Sequence, residues 1–230
     1  MLLDKGKGYP IVFLHGYLSN KESFNYQIDY FSRFFRVIAI DITGFGKSKE
    51  LPFAYSLKDY VQDVVSVIEE LDLKNFHLIA HSFGGRIAIK LATKNLGVNK
   101  LVLTGSAGLK PKRSFNYYFK IYYYKLIKKF LTEKGKSNFG SSEYRALTGY
   151  NKESYYKIVN EYLDGEINKI KNKTLIIFGE KDIETPKYMA IKLNNGIENG
   201  SLYFIKGAGH FCFLEKPLEF NVIVNEFLRG

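Results

Sequence analysis

The sequence predicts an α/β fold, a mostly parallel sheet covered by helices on both faces, from three observations. Short apolar runs recur along the chain, many are separated by segments of helical periodicity, and several end in a turn containing glycine. At 230 residues the chain is long enough to bury one full core.

The apolar runs are Pro10–Leu14, Arg36–Ile40, Phe76–Ala80, Lys100–Leu103, Thr174–Phe178 and Leu202–Ile205, each read as a buried strand. Between them, Ser56–Leu71 places Leu57, Tyr60, Val61, Val64, Val67, Ile68 and Leu71 on one helical face. Phe220, Ile223, Val224, Phe227 and Leu228 do the same near the C-terminus. Strands alternating with helices give a parallel sheet, and its active site lies beyond the C-terminal ends of the strands.

From Leu109 to about Ile167 the alternation stops. Residues 1–108 and 168–230 are therefore expected to form the core, with 109–167 as a helical cap inserted into it. Phe115, Tyr118, Phe119, Tyr122, Leu126 and Phe130 lie along one helical stripe, and VNEYL is read as a second helix ending before Gly165. Between Lys110 and Arg145, lysine and arginine far outnumber Glu133 and Glu143. A basic aromatic helix of this kind can lie on an anionic membrane. The preferred reading packs the tyrosines over the sheet and leaves the lysines in water.

Composition narrows the classes. A hydrophobic content of 46% excludes a disordered chain, and 34 Lys+Arg against 23 Asp+Glu give a net charge of +11. The excess comes from lysines spread along a chain also rich in Asn, Tyr and Ile, and no nucleic-acid-binding signature accompanies it. The expected partner is a small molecule, not a nucleic acid. Neither a secretory leader nor an apolar run of ~18 residues is visible, so no membrane span is expected. Cys212 is the single cysteine, which removes an intrachain disulfide and fits a cytoplasmic location.

The chemistry centres on LIAHSFGGRIAIK, residues 78–90, where a strand stops at Ser82 and a helix follows. A tight strand-to-helix turn projects a serine hydroxyl from the sheet and aims a helix N-terminus at a developing oxyanion. It requires small neighbours, here Ala80, Gly84 and Gly85. The competing reading makes Ser82 a helix cap. GFGKS, after the second strand, resembles a phosphate loop but has Asp41 where that loop needs glycine, and Pro52 follows instead of a prompt helix. A nucleotide site there is rejected.

A serine nucleophile needs a base, and the base needs a carboxylate to orient it. His210 follows the last strand and Asp182 the one before, so both belong to the edge that carries Ser82. His81 adjoins the serine on its own turn, and His77 starts a strand on the opposite edge. Glu180 and Glu184 are poorer orienters than Asp182.

These motifs, His15-Gly16, Asp41 to Ser48, the turn around Ser82, Gly179 to Asp182 and Gly207 to His210, resemble in order those of the α/β-hydrolase fold superfamily. The resemblance covers nearly the whole chain. It implies a serine hydrolase of the carboxylesterase type with Ser82 as nucleophile, His210 as general base then acid, and Asp182 as its partner. The N–H groups of Tyr17 and Phe83 would form the oxyanion hole. His15, Gly16, His81 and Ser106 are expected to wall the substrate pocket and Phe119 and Tyr122 to roof it. No metal or organic cofactor is called for. Ala80 and Thr43 replace the glycine and proline usual at their positions. The family's first strand is expected to be missing, because only MLLDKGKGY precedes the strand leading to His15. The reaction is expected to be cleavage of an ester, thioester or lactone. The alternatives are carbon–carbon hydrolysis, a membrane-surface lipid hydrolase, and a receptor that keeps the pocket without catalysis.

Overall fold

The computed structural model describes residues 1–112 and 147–230. Seven strands form one sheet: β1 (Leu2–Lys5), β2 (Pro10–Leu14), β3 (Arg36–Ile40), β4 (Phe76–His81), β5 (Val98–Thr104), β6 (Thr174–Gly179) and β7 (Gly200–Ile205). Their spatial order is β1-β3-β2-β4-β5-β6-β7. All pairings are parallel except β1 with β3, where Leu2 faces Ile40 and Lys5 faces Val37.

All six apolar runs are strands. β1 is a seventh that no run announced, because LLDK lies at the sheet edge with two residues exposed and two half-buried. Only Leu3 of this four-residue edge strand packs against the core, too little to show a strand pattern.

The described helices are α1 (Asn25–Phe31), α2 (Leu57–Glu70), α3 (Phe83–Thr93), α4 (Gly149–Val159), α5 (Lys187–Gly196), α6 (Cys212–Glu215) and α7 (Pro217–Arg229). They cover both faces, which explains why the central strands are continuously apolar. Ile11 and Phe13 of β2 pack on one side with Phe24, Phe31, Phe213 and Phe220. Their neighbours Val12 and Leu14 point the other way, into a layer with Tyr60, Val64, Ile87 and Leu91. α2 starts where expected: the Asp59 carboxylate accepts hydrogen bonds from the Ser56 N–H (2.7 Å) and hydroxyl (2.6 Å).

The turn after β3 shows what GFGKS is for. Asp41 is buried, and its carboxylate accepts from the Lys21 N–H (2.9 Å), the Lys21 ammonium (2.6 Å) and the Lys47 N–H (3.1 Å). Burial pushes this carboxyl up, but the bonds from Lys21 hold it below the usual carboxylate range. The loop wraps a carboxylate rather than a phosphate.

The helix read at VNEYL is α4, which ends before Gly165 as expected but already at Val159, so residues 160–163 lie beyond it. The reason is tertiary. The Arg86 guanidinium takes the Ile158 carbonyl at 2.9 Å and the Glu161 carbonyl at 2.6 Å, and Leu163 N–H reaches the Gly108 carbonyl at 2.8 Å. The chain is thereby drawn out over the sheet. The stripe from Phe115 to Phe130 and nearly all of the basic stretch lie outside the described residues. Among the described residues, no helix is long and apolar enough to cross a membrane.

Strand order reverses between β2 and β4. From β2 the chain moves to β3 on one side, and from β4 it proceeds through β5, β6 and β7 on the other. The crevice beyond the C-terminal ends of β2 and β4 is the position such sheets offer a ligand.

Candidate active site

Ser82 stands in that crevice, between the end of β4 and the start of α3, with φ 48° and ψ −111°. An L-residue holds such a conformation only where its surroundings over-determine it. Here four backbone hydrogen bonds do so. Ser82 N–H donates to the Thr104 carbonyl (3.1 Å), while the Ser82 carbonyl accepts from Gly85 (3.0 Å) and Ala107 (3.1 Å). Gly84 N–H donates to the His15 carbonyl (3.1 Å). The pattern S-x-G-G is required by close packing. A Cβ on Gly84 would collide with the carbonyl oxygens of Leu14 and His15, and one on Gly85 with the Ser106 side chain. Phe83 is the first helical residue, so its N–H has no acceptor within α3.

The loops after β6 and β7 bring a second group to the same place. His210 Nδ1 lies 2.9 Å from Asp182 Oδ2, and both residues are buried. Asp182 is held in turn by the N–H groups of Glu184 (2.9 Å) and Thr185 (2.8 Å) on Oδ1 and by the Thr185 hydroxyl (2.7 Å) on Oδ2. Burial raises the Asp182 carboxyl, but the His210 and Thr185 bonds outweigh it and leave the group below its ordinary value. His210 Nε2 has the Glu184 carboxylate at 3.4 Å. Glu180 serves elsewhere, accepting from Gly207 N–H.

Ser82 and His210 line one cavity of about 150 Å³ together with Tyr17, Phe83, Arg86, Ala107, Tyr155, Ile158, Val159, Glu184 and Thr185. Tyr17 reaches across it: its ring packs edge-on against Phe83 and Tyr155, and its hydroxyl donates to the Asn151 carbonyl (2.8 Å). A hydroxyl beside an imidazole whose far nitrogen is fixed by a carboxylate can lose its proton to that imidazole and become a nucleophile.

Four residues expected to wall the pocket are absent from its lining. His15 is fully buried, with Nδ1 at 2.7 Å from the Gly16 carbonyl and Nε2 accepting from Ile42 N–H at 3.0 Å, so it braces the loop after β2. Gly16 packs against His81 and the Ser82 Cβ. His81 lies beside His210, ring centroids 4.7 Å apart, with Nε2 3.2 Å from the His210 carbonyl. Burial, reinforced by the His210 charge, lowers its pKa to about 3. Ser106 is buried against Gly85. Each is already taken up by its neighbours, His15 by Ile42 N–H, His81 by the His210 carbonyl, and Gly16 and Ser106 by close packing against the Ser82 turn. Phe119 and Tyr122 lie outside the described residues.

The sequence reading passed over Arg86, Thr185 and the α4 residues. Arg86 had a legible signal, a guanidinium one turn beyond Ser82 in a helix buried nearly all round. The α4 contribution had none, because it depends on where the insertion folds back.

A family model described as alpha/beta hydrolase fold matches residues 9–153. AB hydrolase superfamily protein YisY of Bacillus subtilis (strain 168) is 32% identical over 249 residues, covering 97% of this chain and 93% of its own length. The 2-hydroxy-6-oxo-2,4-heptadienoate hydrolase of Pseudomonas putida is 27% identical over 256 residues, 100% of this chain and 92% of that protein. Among solved structures, the enol-lactonase from Burkholderia xenovorans LB400 has the same fold, with a TM-score of 0.79 at 17% identity over 100% of this chain and 96% of that one. With the sheet order and a serine at the strand-to-helix turn already in place, these likenesses identify the chain as a hydrolase belonging to the alpha/beta hydrolase fold family.

Proposed function

We propose that the protein is a serine hydrolase cleaving an ester, thioester or lactone of a partly apolar small molecule through an acyl-enzyme on Ser82. The observation that carries this reading is the one cavity shared by Ser82, held at φ 48°, and His210, whose Nδ1 lies 2.9 Å from Asp182. In the first half-reaction His210 Nε2 takes the Ser82 proton as Oγ attacks the carbonyl carbon. The oxyanion is received by the N–H groups of Phe83 and Tyr17, and Asp182 stabilises the imidazolium. His210 then protonates the departing alcohol, and water repeats the sequence to release the acid. Residues 109–167 act as the cap, a role supported by the α4 side chains Tyr155, Ile158 and Val159 in the cavity lining. The setting is cytoplasmic.

A second reading, carbon–carbon hydrolysis of a diketone-like substrate, is favoured by one observation. The Pseudomonas putida relative, similar over the full chain, is named for a 2-hydroxy-6-oxo dienoate, the enol form of such a compound. The same serine and histidine would serve.

The test is turnover of 4-nitrophenyl acetate by the wild type and Ser82→Ala, together with mass analysis after a fluorophosphonate probe. The expected outcome is a loss of several orders of magnitude in the variant with folding intact, and one probe adduct on Ser82. Unchanged turnover in Ser82→Ala overturns the acyl-enzyme; an active-site serine that never labels and a protein that hydrolyses nothing favour the receptor.

A further inference from the structure

We propose that Arg86 makes the cavity an anion subsite: the substrate carries a carboxylate, bound by this guanidinium a few bonds from the carbonyl that Ser82 attacks. The inference rests on the hydrolase reading above and names the substrate class for the same site.

Three observations carry it. Arg86 is 7% exposed and still lines the cavity that holds Ser82 and His210. Its Nη1 uses its two protons on the carbonyls of Ile158 and Glu161, which fix the direction of the side chain but bring no net charge. Among the described residues no carboxylate pairs with it. The nearby Glu161 carboxylate binds Lys90 at 3.0 Å instead, and Lys90 also takes Glu166 at 2.5 Å. Glu184, the acid among the described lining residues, is half-exposed and lies against His210.

A buried cation whose nearest carboxylate, Glu161, is held by Lys90 and acts on it only at a distance is costly, and its cost falls when a ligand supplies a directly paired charge. Burial pulls the Arg86 pKa down, and the Glu161 charge offsets only part of that. Nη2 and Nε remain as donors in a planar fork, the geometry that takes a carboxylate in two parallel bonds. Arg86 stands one helical turn beyond Ser82, a rise of about 5.4 Å along α3, so the anion and the reacting carbonyl fit within one small molecule. A guanidinium placed only to tie α3 to the end of α4 would discriminate nothing among substrates.

Two matched ester pairs test the proposal on the whole protein. The first is mono(4-nitrophenyl) glutarate against its methyl ester, with the charge on the acyl side. The second is 4-acetoxybenzoate against its methyl ester, with the charge on the leaving group. The wild type is expected to prefer the carboxylate member of at least one pair by about tenfold or more in kcat/KM, and Arg86→Met to abolish that preference mainly through KM. Arg86→Lys should recover part of it. A wild type that favours neither carboxylate overturns the proposal, and this arm does not depend on any variant folding. Equal losses for charged and neutral esters in Arg86→Met reduce Arg86 to a packing role and overturn it too. Labelling of Ser82 by the fluorophosphonate, measured in the same samples, separates failure of the subsite from failure of the hydrolase reading.

Discussion

Asp182 holds its place through partners rather than through one bond. Its Oδ2 faces both the His210 ring at 2.9 Å and the Thr185 hydroxyl at 2.7 Å. A carboxylate with a second, neutral donor keeps its orientation while the imidazole beside it gains and loses a proton. Thr185→Val keeps the shape and removes that donor. The expected outcome is a fall of about tenfold in kcat with KM within a factor of about two, equivalent to ~1.4 kcal/mol, as for one hydrogen bond to a charged group. Steady-state kinetics on an aryl ester checks it; a turnover number unchanged from wild type would show that the hydroxyl is idle.

At the scale of elements, the strained turn at Ser82 is built by three strands and one helix together. The carbonyls of Thr104 at the end of β5 and His15 after β2 accept from it, and α3 closes against β2 because Gly84 has no side chain. Gly84→Ala would press a methyl group onto backbone oxygens that cannot move aside. A destabilisation of roughly 1–3 kcal/mol is expected from overpacking alone, with loss of activity beyond it as α3 shifts away from β2. Thermal unfolding and ester turnover measured on one preparation test this. A variant as stable and active as wild type would mean that helix and strand are not in close contact at this point.

At the scale of the whole molecule, three buried histidines set the response to acid: burial lowers the pKa of His15, and those of His77 and His81 farther. Burial, aided by the Lys100 charge, lowers the pKa of His77 to about 4, and burial with the His210 charge lowers His81 to about 3. Both lie below the unfolded value of about 6.5, so the unfolded chain binds more protons in the interval. Stability from keeping these rings neutral is complete above about 6.5 and is lost as pH falls toward 4 and 3, by a few kcal/mol in total. Asp41 and Asp182 have lowered pKa values, so their contribution is present above the ordinary carboxylate range and disappears only below it. Loss on acidification therefore begins with the histidines. Urea midpoints should drop between pH 6.5 and 4, and His77→Gln should flatten that drop. An equally steep fall in the variant would assign the effect to other groups.

The sequence by itself determined the alternation of strands and helices, the serine at its turn, and the order Ser82, Asp182, His210. These are local matters, because an apolar run fixes a strand, glycines fix a tight turn, and each of the three residues follows the end of its own strand. It did not reveal β1, a short edge strand of which only Leu3 packs against the core. Nor did it sort the pocket correctly. His15, His81 and Ser106 are near the crevice in sequence yet are buried outside its lining, while Arg86 and α4, many residues apart, bond to each other and line it together. Which side chains face a cavity depends on how distant segments lie over one another. Only the tertiary structure decides that, because the burial that selects those orientations arises when the layers close.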